Sequence, residues 1–341
     1  MYTYYSTFVS GFENAVKDFL MKSLDKVKII LLLDGLVVYS TTTDINKVKE
    51  LRFVNNTFIL IKEFSDKNLS LDSMLNELVN NAKLNIPVLS VRQKTFRIIT
   101  SKENQLSAVD NTLLIKLEEK IKYFTKYRTN RKKPDIEFWI LLRSEGRGFF
   151  GMRITRNHDS VKSLQQGELR PEVTNILCQL SDMNKTDIFL DPFVGSGAIP
   201  IERVKINKYT RVIATDNDKK LVNYFQTNVQ RMNLKIEVYN GDALVLPNIA
   251  NNSIDKIVTD PPWGIFNKKS ESELNIFYTQ MLQSFFRVLK PGGIAVILLG
   301  QRELFLDLLK DFTDKFTLDQ NFSVLISGKK AGVYKIIKKN G

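Results

Sequence analysis

The second half of the chain alternates short apolar runs with longer segments in which apolar residues recur every three or four positions. The short runs, rich in β-branched residues and bounded by Gly, Asp or Pro, predict buried strands, and the longer segments predict amphipathic helices. The predicted strands are Thr186–Leu190, Arg211–Thr215, Lys235–Tyr239, Ile254–Thr259 and Ile294–Leu299. The predicted helices are Ala198–Lys205, Lys219–Met232 and Glu273–Leu289. This alternation indicates a parallel sheet with helices on both faces.

The end of the chain departs from that alternation. Two strand-like runs, Asn321–Ile326 and Val333–Lys338, are separated only by the Gly- and Lys-containing segment Ser327–Gly332. This spacing is typical of a β-hairpin. We therefore predict an α/β fold class, with a mostly parallel sheet that ends in an antiparallel pair.

The first half of the chain is less regular and predicts a smaller α+β module or two. Its predicted helices are Asn14–Leu24, Leu71–Lys83 and Asn111–Tyr123. Its predicted strands are Ile29–Val38, Thr57–Phe64, Thr95–Thr100 and Ile136–Leu142. A length of 341 residues fits two or three domains. The polar segment around Asn157–Gly167, which opens onto a helix at Pro171, is the predicted linker.

The scarcity of two residue types excludes several kinds of chemistry. Cys178 is the only cysteine and His158 the only histidine. An intramolecular disulfide is therefore impossible, and a tetrahedral structural zinc site cannot be built from one Cys and one His. A Ser-His or Cys-His hydrolase is also disfavoured. Carboxylates, backbone dipoles or a cofactor remain as sources of chemistry, and we expect no metal.

No targeting or membrane signal is evident in the sequence. No segment approaches the roughly 20 uninterrupted apolar residues that span a bilayer. The longest candidate, Val27–Tyr39, contains Lys28 and Asp34 and is better interpreted as a buried strand. The N-terminus lacks the basic segment and apolar run of a secretion signal. We expect a cytoplasmic protein with no membrane partner.

The net charge of +13 favours a polyanionic partner. Basic residues are concentrated in the segment Lys116–Lys133. The candidates for phosphate contacts there are Lys126, Arg128, Arg131 and Lys132. The alternative interpretation is a solvated basic surface with no partner, because charge runs alone are weak evidence.

Acidic residues follow three successive predicted strands. The first lies in Asp191-Pro192-Phe193-Val194-Gly195-Ser196-Gly197, where Gly195 and Gly197 allow a tight turn and a close approach to a ligand. Asp216 follows the second strand, where an acid suits hydrogen bonds to ribose hydroxyls, although Asp218 is the better helix N-cap. Asp242 follows the third strand. Open α/β sheets bind ligands at this edge, which makes a ligand crevice the preferred prediction.

The sharpest motif follows the fourth strand: Thr259-Asp260-Pro261-Pro262-Trp263-Gly264. Two prolines remove backbone donors and hold the chain extended, so that carbonyl oxygens point outward as acceptors. Asp260 adds a carboxylate, and Trp263 adds a flat apolar face. These groups describe a pocket for a planar ring that carries an NH₂ group. The alternative is a structural Pro-Pro corner with Trp263 in the core.

These motifs, in order, resemble the signature motifs of amino-methylating class I methyltransferases. The run Gly167-Glu168-Leu169-Arg170-Pro171 resembles the additional cofactor-wall motif of that group. The N-terminal half is similar to a THUMP domain preceded by a ferredoxin-like part, on the basis of Thr95–Ile98, the helix from Asn111 and the run Phe149–Arg156. Over most of its length the chain therefore resembles the THUMP-containing tRNA guanine-N2 methyltransferases. Relatives often carry Tyr or Phe where Trp263 stands.

The resemblance implies a domain order, a cofactor and a set of site residues. Residues 1–60 would be the ferredoxin-like part, 61–157 the THUMP RNA-binding domain and 158–341 the methyltransferase domain. The cofactor would be S-adenosylmethionine and the partner tRNA, in its acceptor-stem region, with guanosine 6 or 10 as the target. The cofactor residues implied are Asp191, Phe193, Gly195, Gly197, Asp216, Asp242, Ala243 and Arg170. The RNA-binding set gains Arg153 and Arg156. A monomer is compatible with this resemblance.

The mechanism implied places three residues around the base. The exocyclic amine would donate its N–H groups to Asp260 and to the Pro261 carbonyl, which directs the nitrogen lone pair at the methyl carbon. Asp260 would stabilise the developing positive charge. Trp263 would stack on a base turned out of its helix. Asp260, Pro261 and Trp263 are therefore the candidate catalytic residues.

Three alternatives remain open at this point. An N6-adenine nucleic-acid methyltransferase or a protein glutamine N5 methyltransferase would have the same Pro-Pro-aromatic motif. A catalytically inactive RNA-binding relative would share the fold. The basic N-terminal half favours nucleic acid over protein, and the intact acids Asp191, Asp216, Asp242 and Asp260 favour an active enzyme.

Overall fold

The computed structural model describes residues 2–81, 84–89, 94–155, 168–264 and 270–340. The chain divides into two compact units, each treated by itself below. The first unit comprises Met1–Thr7 and Leu20–Asn157, and the second comprises Phe8–Phe19 and His158–Gly341. A division of the N-terminal half into ferredoxin-like and THUMP parts near residue 60 stays a prediction. The predicted linker at Asn157–Gly167 lies outside the described residues.

Within the described residues, the first unit is built on one sheet of nine strands. The strands are β1 Tyr2–Thr7, β2 Lys28–Leu33, β3 Leu36–Thr41, β4 Asn56–Ser65, β5 Thr95–Lys102, β6 Gln105–Leu106, β7 Arg128–Thr129, β8 Ile136–Leu142 and β9 Arg147–Arg153. Their order is β2-β3-β1-β4-β9-β8-β5-β6, with β7 beside β5. Pairing is antiparallel except for β5 with β7 and β8, so the predicted α+β class is confirmed.

The helices of this half of the chain begin at recognisable caps. They are α1 Glu13–Ser23, α2 Ile45–Lys49, α3 Leu71–Asn80 and α4 Asn111–Thr125. Ser70 and Ser73 form a reciprocal capping box at the start of α3, and the Asp110 carboxylate accepts the Leu113 amide at the start of α4. Such side-chain acceptors satisfy amides that the first helical turn leaves without a partner. The three predicted helices are confirmed within a few residues.

The predicted single strand Ile29–Val38 is wrong. The chain reverses at Asp34-Gly35, where Gly35 has a φ of 71°, and the two halves pair as β2 and β3 with Leu33 opposite Leu36. A left-handed turn of this kind requires little strain at glycine. Both sides of the turn are apolar, which explains why the run had the pattern of one long buried strand.

The second unit contains a sheet of seven strands within its described residues. The strands are β10 Ile188–Asp191, β11 Arg211–Asp216, β12 Glu237–Asn240, β13 Ile254–Thr259, β14 Leu289–Leu299, β15 Phe316–Ile326 and β16 Lys329–Lys338. Their order is β12-β11-β10-β13-β14-β16-β15. The first five are parallel to one another, and β16 pairs antiparallel with both β14 and β15. The predicted mixed sheet with a terminal hairpin is therefore confirmed.

Five helices flank this sheet in the described part of the chain: α5 Pro171–Leu180, α6 Ala198–Ile206, α7 Lys219–Arg231, α8 Glu271–Val288 and α9 Arg302–Lys310. Asp218 is the N-cap of α7, and Ser270 and Glu273 form the capping box of α8. The main core lies between the sheet and α8 and α9, where Tyr278, Phe285 and Phe305 are fully buried. No helix of the described residues is long and apolar enough to cross a membrane.

One lysine of the basic run has a structural role in the first unit. The Lys120 ammonium, on α4, donates to the carbonyls of Leu78 and Val79 at 2.8 Å and also to that of Asn81. These carbonyls lie at the C-terminal end of α3, which has no intrahelical donors for them. Burial, with Lys62 nearby, lowers the pKa of the Lys120 ammonium.

We expect Lys120→Met to destabilise the first unit, because these carbonyls would lose their donor. The expected loss in the free energy of unfolding is about 1–2 kcal/mol. Lys116→Met is the matched control, since Lys116 lies exposed on the same helix and its loss should change stability by less than about 0.5 kcal/mol. Urea denaturation followed by circular dichroism measures both. Equal stabilities of the two variants would contradict the capping role.

Candidate functional site

Parallel register brings the carboxyl ends of four strands to one edge of the second unit's sheet. Asp191 at the end of β10 pairs with Ala214 of β11, and Asp216 at the end of β11 pairs with Asn240 of β12. On the other side, β13 runs beside β10 and ends at Thr259, immediately before Asp260. The motifs predicted from the sequence therefore share one edge of the sheet, as the ligand crevice requires.

The two glycines of the first loop have different environments. Both have positive φ values, 48° for Gly195 and 87° for Gly197. A Cβ on Gly197 would lie 1.9 Å from the Phe225 ring of α7, so this glycine is needed for packing. A Cβ on Gly195 would meet nothing within 4 Å. Gly195 therefore borders open space that a ligand could fill.

The carboxylate of Asp216 is held by two backbone amides. Oδ2 accepts the Gly195 N–H at 3.0 Å and Oδ1 accepts the Asp218 N–H at 3.0 Å. Each carboxylate oxygen has a second lone pair, so the side chain can still accept hydroxyl donors. Asp242 is exposed, and its Oδ1 accepts the Leu244 amide at 2.9 Å. Both acids are thus orientated by the backbone at the edge where the ligand crevice was predicted.

Asp191 is buried and bonded to the neighbouring strand end. Its Oδ1 accepts the Thr259 hydroxyl at 2.8 Å and the Phe193 amide at 3.2 Å. Burial raises the pKa of the Asp191 carboxyl to about 7, the hydrogen bonds oppose that rise, and the nearby charges of Asp216 and Asp260 add to it. Asp191 therefore connects the glycine-containing loop after β10 to the end of β13 through a buried hydrogen bond. The sequence analysis did not identify the Thr259 hydroxyl, which ends a strand that also contains Asp255 and Lys256.

Asp260 forms a hydrogen bond with the aromatic residue of its own motif. Its Oδ1 accepts the Trp263 indole N–H at 2.7 Å. Burial raises the pKa of the Asp260 carboxyl to about 7, and the hydrogen bond from Trp263 partly lowers it. A carboxyl that titrates near neutral pH is suited to accept a proton during a reaction. The Asp–Trp hydrogen bond was not predicted, because the sequence analysis considered the indole only as a stacking surface.

Two further side chains hold the Pro-Pro turn in place. The Tyr278 hydroxyl of α8 donates to the Pro262 carbonyl at 3.1 Å, and the Gln301 amide donates to the Trp263 carbonyl at 3.4 Å. Burial, with the charge of Asp260 nearby, raises the pKa of Tyr278. Neither residue was predicted from the sequence. For Tyr278, the sequence showed only that it falls on the buried face of the predicted helix. For Gln301, it showed only a polar residue shortly after a predicted strand.

The remaining predicted cofactor residues occupy different environments. Phe193 is partly buried, and its ring centroid lies 5.8 Å from that of Phe277. Ala243 is buried beside Asp242. Arg170 is the exposed N-cap of α5, with its guanidinium 3.9 Å from the Glu172 carboxylate. Their roles in cofactor binding stay predictions. Across the described ranges, no group of His, Cys, Asp and Glu side chains could hold a metal ion.

The predicted RNA-binding residues of the first unit fall into two groups. Lys126, Arg128 and Lys132 are exposed around the end of α4 and β7. The others make ion pairs or lie outside the described residues. The Arg131 guanidinium contacts the buried Glu118 carboxylate at 3.1 Å, and that of Arg153, 13% exposed, contacts Glu137 at 2.9 Å. Arg156 lies outside the described residues. RNA contacts by this set stay a prediction.

Comparison with known proteins identifies relatives of part of the chain. Residues 161–330 match the family model described as RMKL-like, methyltransferase domain. A tRNA (guanine(10)-N2)-dimethyltransferase of Methanothermobacter thermautotrophicus is 28% identical over 174 residues, which are 51% of this chain and 50% of that protein. The tRNA (guanine(6)-N(2))-methyltransferase THUMP3 of Bos taurus is 31% identical over 180 residues, 49% of this chain and 35% of that protein. The chain thus spans half or less of the length of these two relatives.

A solved structure extends the similarity of fold to the rest of the chain. TrmN from Thermus thermophilus matches with a TM-score of 0.75 at 19% sequence identity, covering 99% of this chain and 100% of that one. A similarity at this level of identity describes the fold. The fold class is therefore α/β, and the second unit has the class I methyltransferase fold that the sequence predicted.

The different environments of Gly195 and Gly197 can be separated by experiment. Gly197→Ala should lower the free energy of unfolding by about 2 kcal/mol or more, because the Cβ would overlap the Phe225 ring at an already left-handed φ. Gly195→Ala should cost only about 1–2 kcal/mol of backbone strain. The Cβ of that variant would enter the open space, however, and should weaken binding of S-adenosylmethionine by about tenfold or more.

Thermal unfolding and calorimetric titration with S-adenosylmethionine measure the two effects on the same samples. The expected result is a folded Gly195→Ala variant with weakened binding and a destabilised Gly197→Ala variant. Unchanged affinity in Gly195→Ala would place the cofactor away from this loop.

Proposed function

We propose that the chain is an S-adenosylmethionine-dependent methyltransferase that methylates the exocyclic N2 amine of a guanosine at position 6 or 10 of tRNA. One observation carries the proposal. The Asp260 carboxyl lies beside a Pro-Pro turn at the same sheet edge as the Gly195 loop and Asp216. The match of residues 161–330 to a methyltransferase domain supports the same conclusion.

The residues of the crevice fit S-adenosylmethionine. The open space at Gly195 leaves room beside the loop, and Asp216 retains acceptor capacity for ribose hydroxyls. Asp242 and the buried Ala243 would border the adenine, while Phe193 and Arg170 would contribute to the wall. When bound, the cofactor supplies a methyl group that its sulfonium has already activated.

The protein's own part in the reaction is to handle the amine. An aromatic NH₂ group is a poor nucleophile because its lone pair is delocalised into the ring. Hydrogen bonds to Asp260 and to the Pro261 carbonyl would localise that lone pair. As the new N–C bond forms, the nitrogen becomes positive and must lose a proton. Asp260, whose pKa is raised to about 7, is suited both to stabilise that charge and to accept the proton.

The choice of tRNA guanosine rests on the relatives and on charge. The two relatives with curated names act on guanosine 10 and guanosine 6 of tRNA, according to those names. Exposed Lys126, Arg128 and Lys132 of the first unit offer phosphate contacts, in line with the net charge of +13. We further propose that the first unit contains a THUMP RNA-binding domain that contacts the acceptor-stem region, in a cytoplasmic protein.

Two single substitutions should separate chemistry from cofactor binding. Asp260→Ala should reduce methyl transfer to tRNA by about 100-fold or more, because it removes the carboxylate that stabilises the transition state. Its affinity for S-adenosylmethionine should change little. Asp216→Ala should do the reverse and weaken cofactor affinity first. Incorporation of labelled methyl groups into unmodified tRNA and calorimetric titration of the cofactor provide the two measurements.

Nucleoside mass spectrometry of the product then identifies the methylated base. N2-methylguanosine or N2,N2-dimethylguanosine would support the proposal. N6-methyladenosine would refute it and show that the enzyme methylates adenine instead. Normal turnover by Asp260→Ala would refute the assignment of the catalytic carboxylate.

Neutralising the exposed basic group should weaken tRNA binding and its dependence on salt. In the triple variant Lys126→Gln, Arg128→Gln and Lys132→Gln, loss of three phosphate contacts should reduce the slope of log K against log salt by about 2. Arg131 is left intact, because its removal would leave the buried Glu118 carboxylate unpaired. The control replaces exposed Lys185, Lys310 and Lys330 of the second unit by Gln, with the same change in charge. Identical slopes for the two triple variants would rule out these contacts.

A further inference from the structure

The indole of Trp263 lies against a glycine at the end of the neighbouring strand. A Cβ built on Gly300, which directly follows β14, would lie 2.8 Å from Cε3 of Trp263, 3.1 Å from Cδ2 and 3.3 Å from Cβ. Contacts below about 3 Å cannot be accommodated unless one group moves. Gly300 lacks a positive φ, so its backbone does not need glycine. The space occupied by the indole is therefore the structural reason for a glycine here.

This position of the indole determines what its N–H can reach. Nε1 donates to Asp260 Oδ1 at 2.7 Å, while the Gln301 amide holds the Trp263 carbonyl at 3.4 Å. Within the residues that the structure describes, Asp260 Oδ2 has no hydrogen-bond donor. One carboxylate oxygen is thus held by the protein, and the other remains to accept from an amine.

We propose that Gly300 and Trp263 act as a positioning pair for Asp260, in which the glycine makes room for the indole and the indole N–H orients the carboxylate toward the substrate amine. The inference rests on the proposed function, since it assigns Trp263 a role in the same methyl transfer. It differs from the stacking role predicted from the sequence, because a phenyl ring could stack but could not donate this hydrogen bond.

The indole hydrogen bond also lowers the pH at which Asp260 ionises. The titratable groups that face Asp260 are Asp191 at the end of β10 and Tyr278 on α8. Burial raises the pKa of Asp260 to about 7 and the indole hydrogen bond opposes that rise. Removing the N–H should therefore raise the pKa further. A reaction that needs the ionised carboxylate would then require a higher pH.

The first test needs no activity. The chain has two tryptophans, so protein labelled with ¹⁵N-tryptophan gives two indole N–H signals. We expect the Trp263 signal to titrate with a midpoint near pH 7 and the titration to disappear in Asp260→Asn. The Gly300→Ala variant should shift this signal and move its midpoint.

Trp139 provides an internal control in the other unit. Its indole N–H donates to Glu137 Oε2 at 3.1 Å. Burial alone would raise the pKa of the Glu137 carboxyl, but hydrogen bonds from Arg153, Arg97 and Trp139 outweigh it and lower the pKa. The Trp139 signal should therefore stay constant around neutral pH. A Trp139→Phe variant assigns the two signals.

The second test is a double-mutant cycle on methyl transfer to tRNA. When kcat is plotted against pH, Trp263→Phe should shift the rising part of the curve to higher pH by about half a pH unit or more. Gly300→Ala should lower kcat by about tenfold, with little change in the affinity for S-adenosylmethionine. In the Trp263→Phe background the same Gly300→Ala change should cost much less, because a phenyl ring has no atom at the position of Cε3.

The outcomes separate this inference from the proposed function. An active wild-type protein whose Trp263 indole signal is left unshifted by Asp260→Ala would overturn the positioning pair. Full activity with an unchanged pH dependence of kcat in Gly300→Ala would also overturn it. A wild-type protein that methylates no tRNA guanosine would overturn the proposed function, whatever the indole signals show.

Discussion

The site depends on the parallel register of β10, β11, β12 and β13. Neighbouring parallel strands end at the same edge of the sheet. Residues that follow different strands therefore become neighbours, although they are far apart in sequence. Asp191 and Thr259, which are 68 positions apart, are joined by a hydrogen bond of 2.8 Å at this edge. A shift of one residue in either strand would turn alternate side chains to the other face and break that bond. The buried apolar positions on both faces of the sheet hold the register.

Burial of carboxyl groups at this edge gives the site its chemical character. An isolated carboxylate is costly to bury, and the pKa values of Asp191 and Asp260 are both raised to about 7 by burial. The two groups are nevertheless used differently. Asp191 bonds to Thr259 and to a backbone amide inside the core, which suits a structural role. Asp260 lies partly accessible in a turn, where a substrate could reach it. Accessibility in the turn after β13, rather than the raised pKa, distinguishes Asp260 as the catalytic candidate.

Sequence patterns predicted β10 to β13 of the second unit within two residues, because these strands are short and end at or just before Asp or Gly. They placed the starts of β14 and β15 five residues too late, since Pro291-Gly292-Gly293 and the polar residues of β15 conceal the extended backbone there. The same approach failed at Asp34-Gly35, where apolar residues flank both sides of a tight turn and conceal it. It also treated the basic run as one surface. Lys120 instead caps α3 and Arg131 pairs with buried Glu118, while Lys126 remains exposed. Charge along a sequence does not reveal which carbonyl or carboxylate the fold will bring close. Cations with a structural partner and cations that stay exposed therefore look alike until the packing is known.

Trp263 shows that a sequence motif can locate a site without revealing every contact that one of its residues makes. An aromatic residue after Pro-Pro suggests a stacking surface, and that role uses the face of the ring. The hydrogen bond to Asp260 uses the indole N–H, which lies in the plane of the ring. The two roles therefore do not compete for the same part of the side chain, and a partly exposed indole can perform both. A phenyl ring would keep only the first role, and a tyrosine would carry its donor at a different position. The absence of a Cβ at Gly300 leaves room for the indole in the position from which its N–H reaches Asp260.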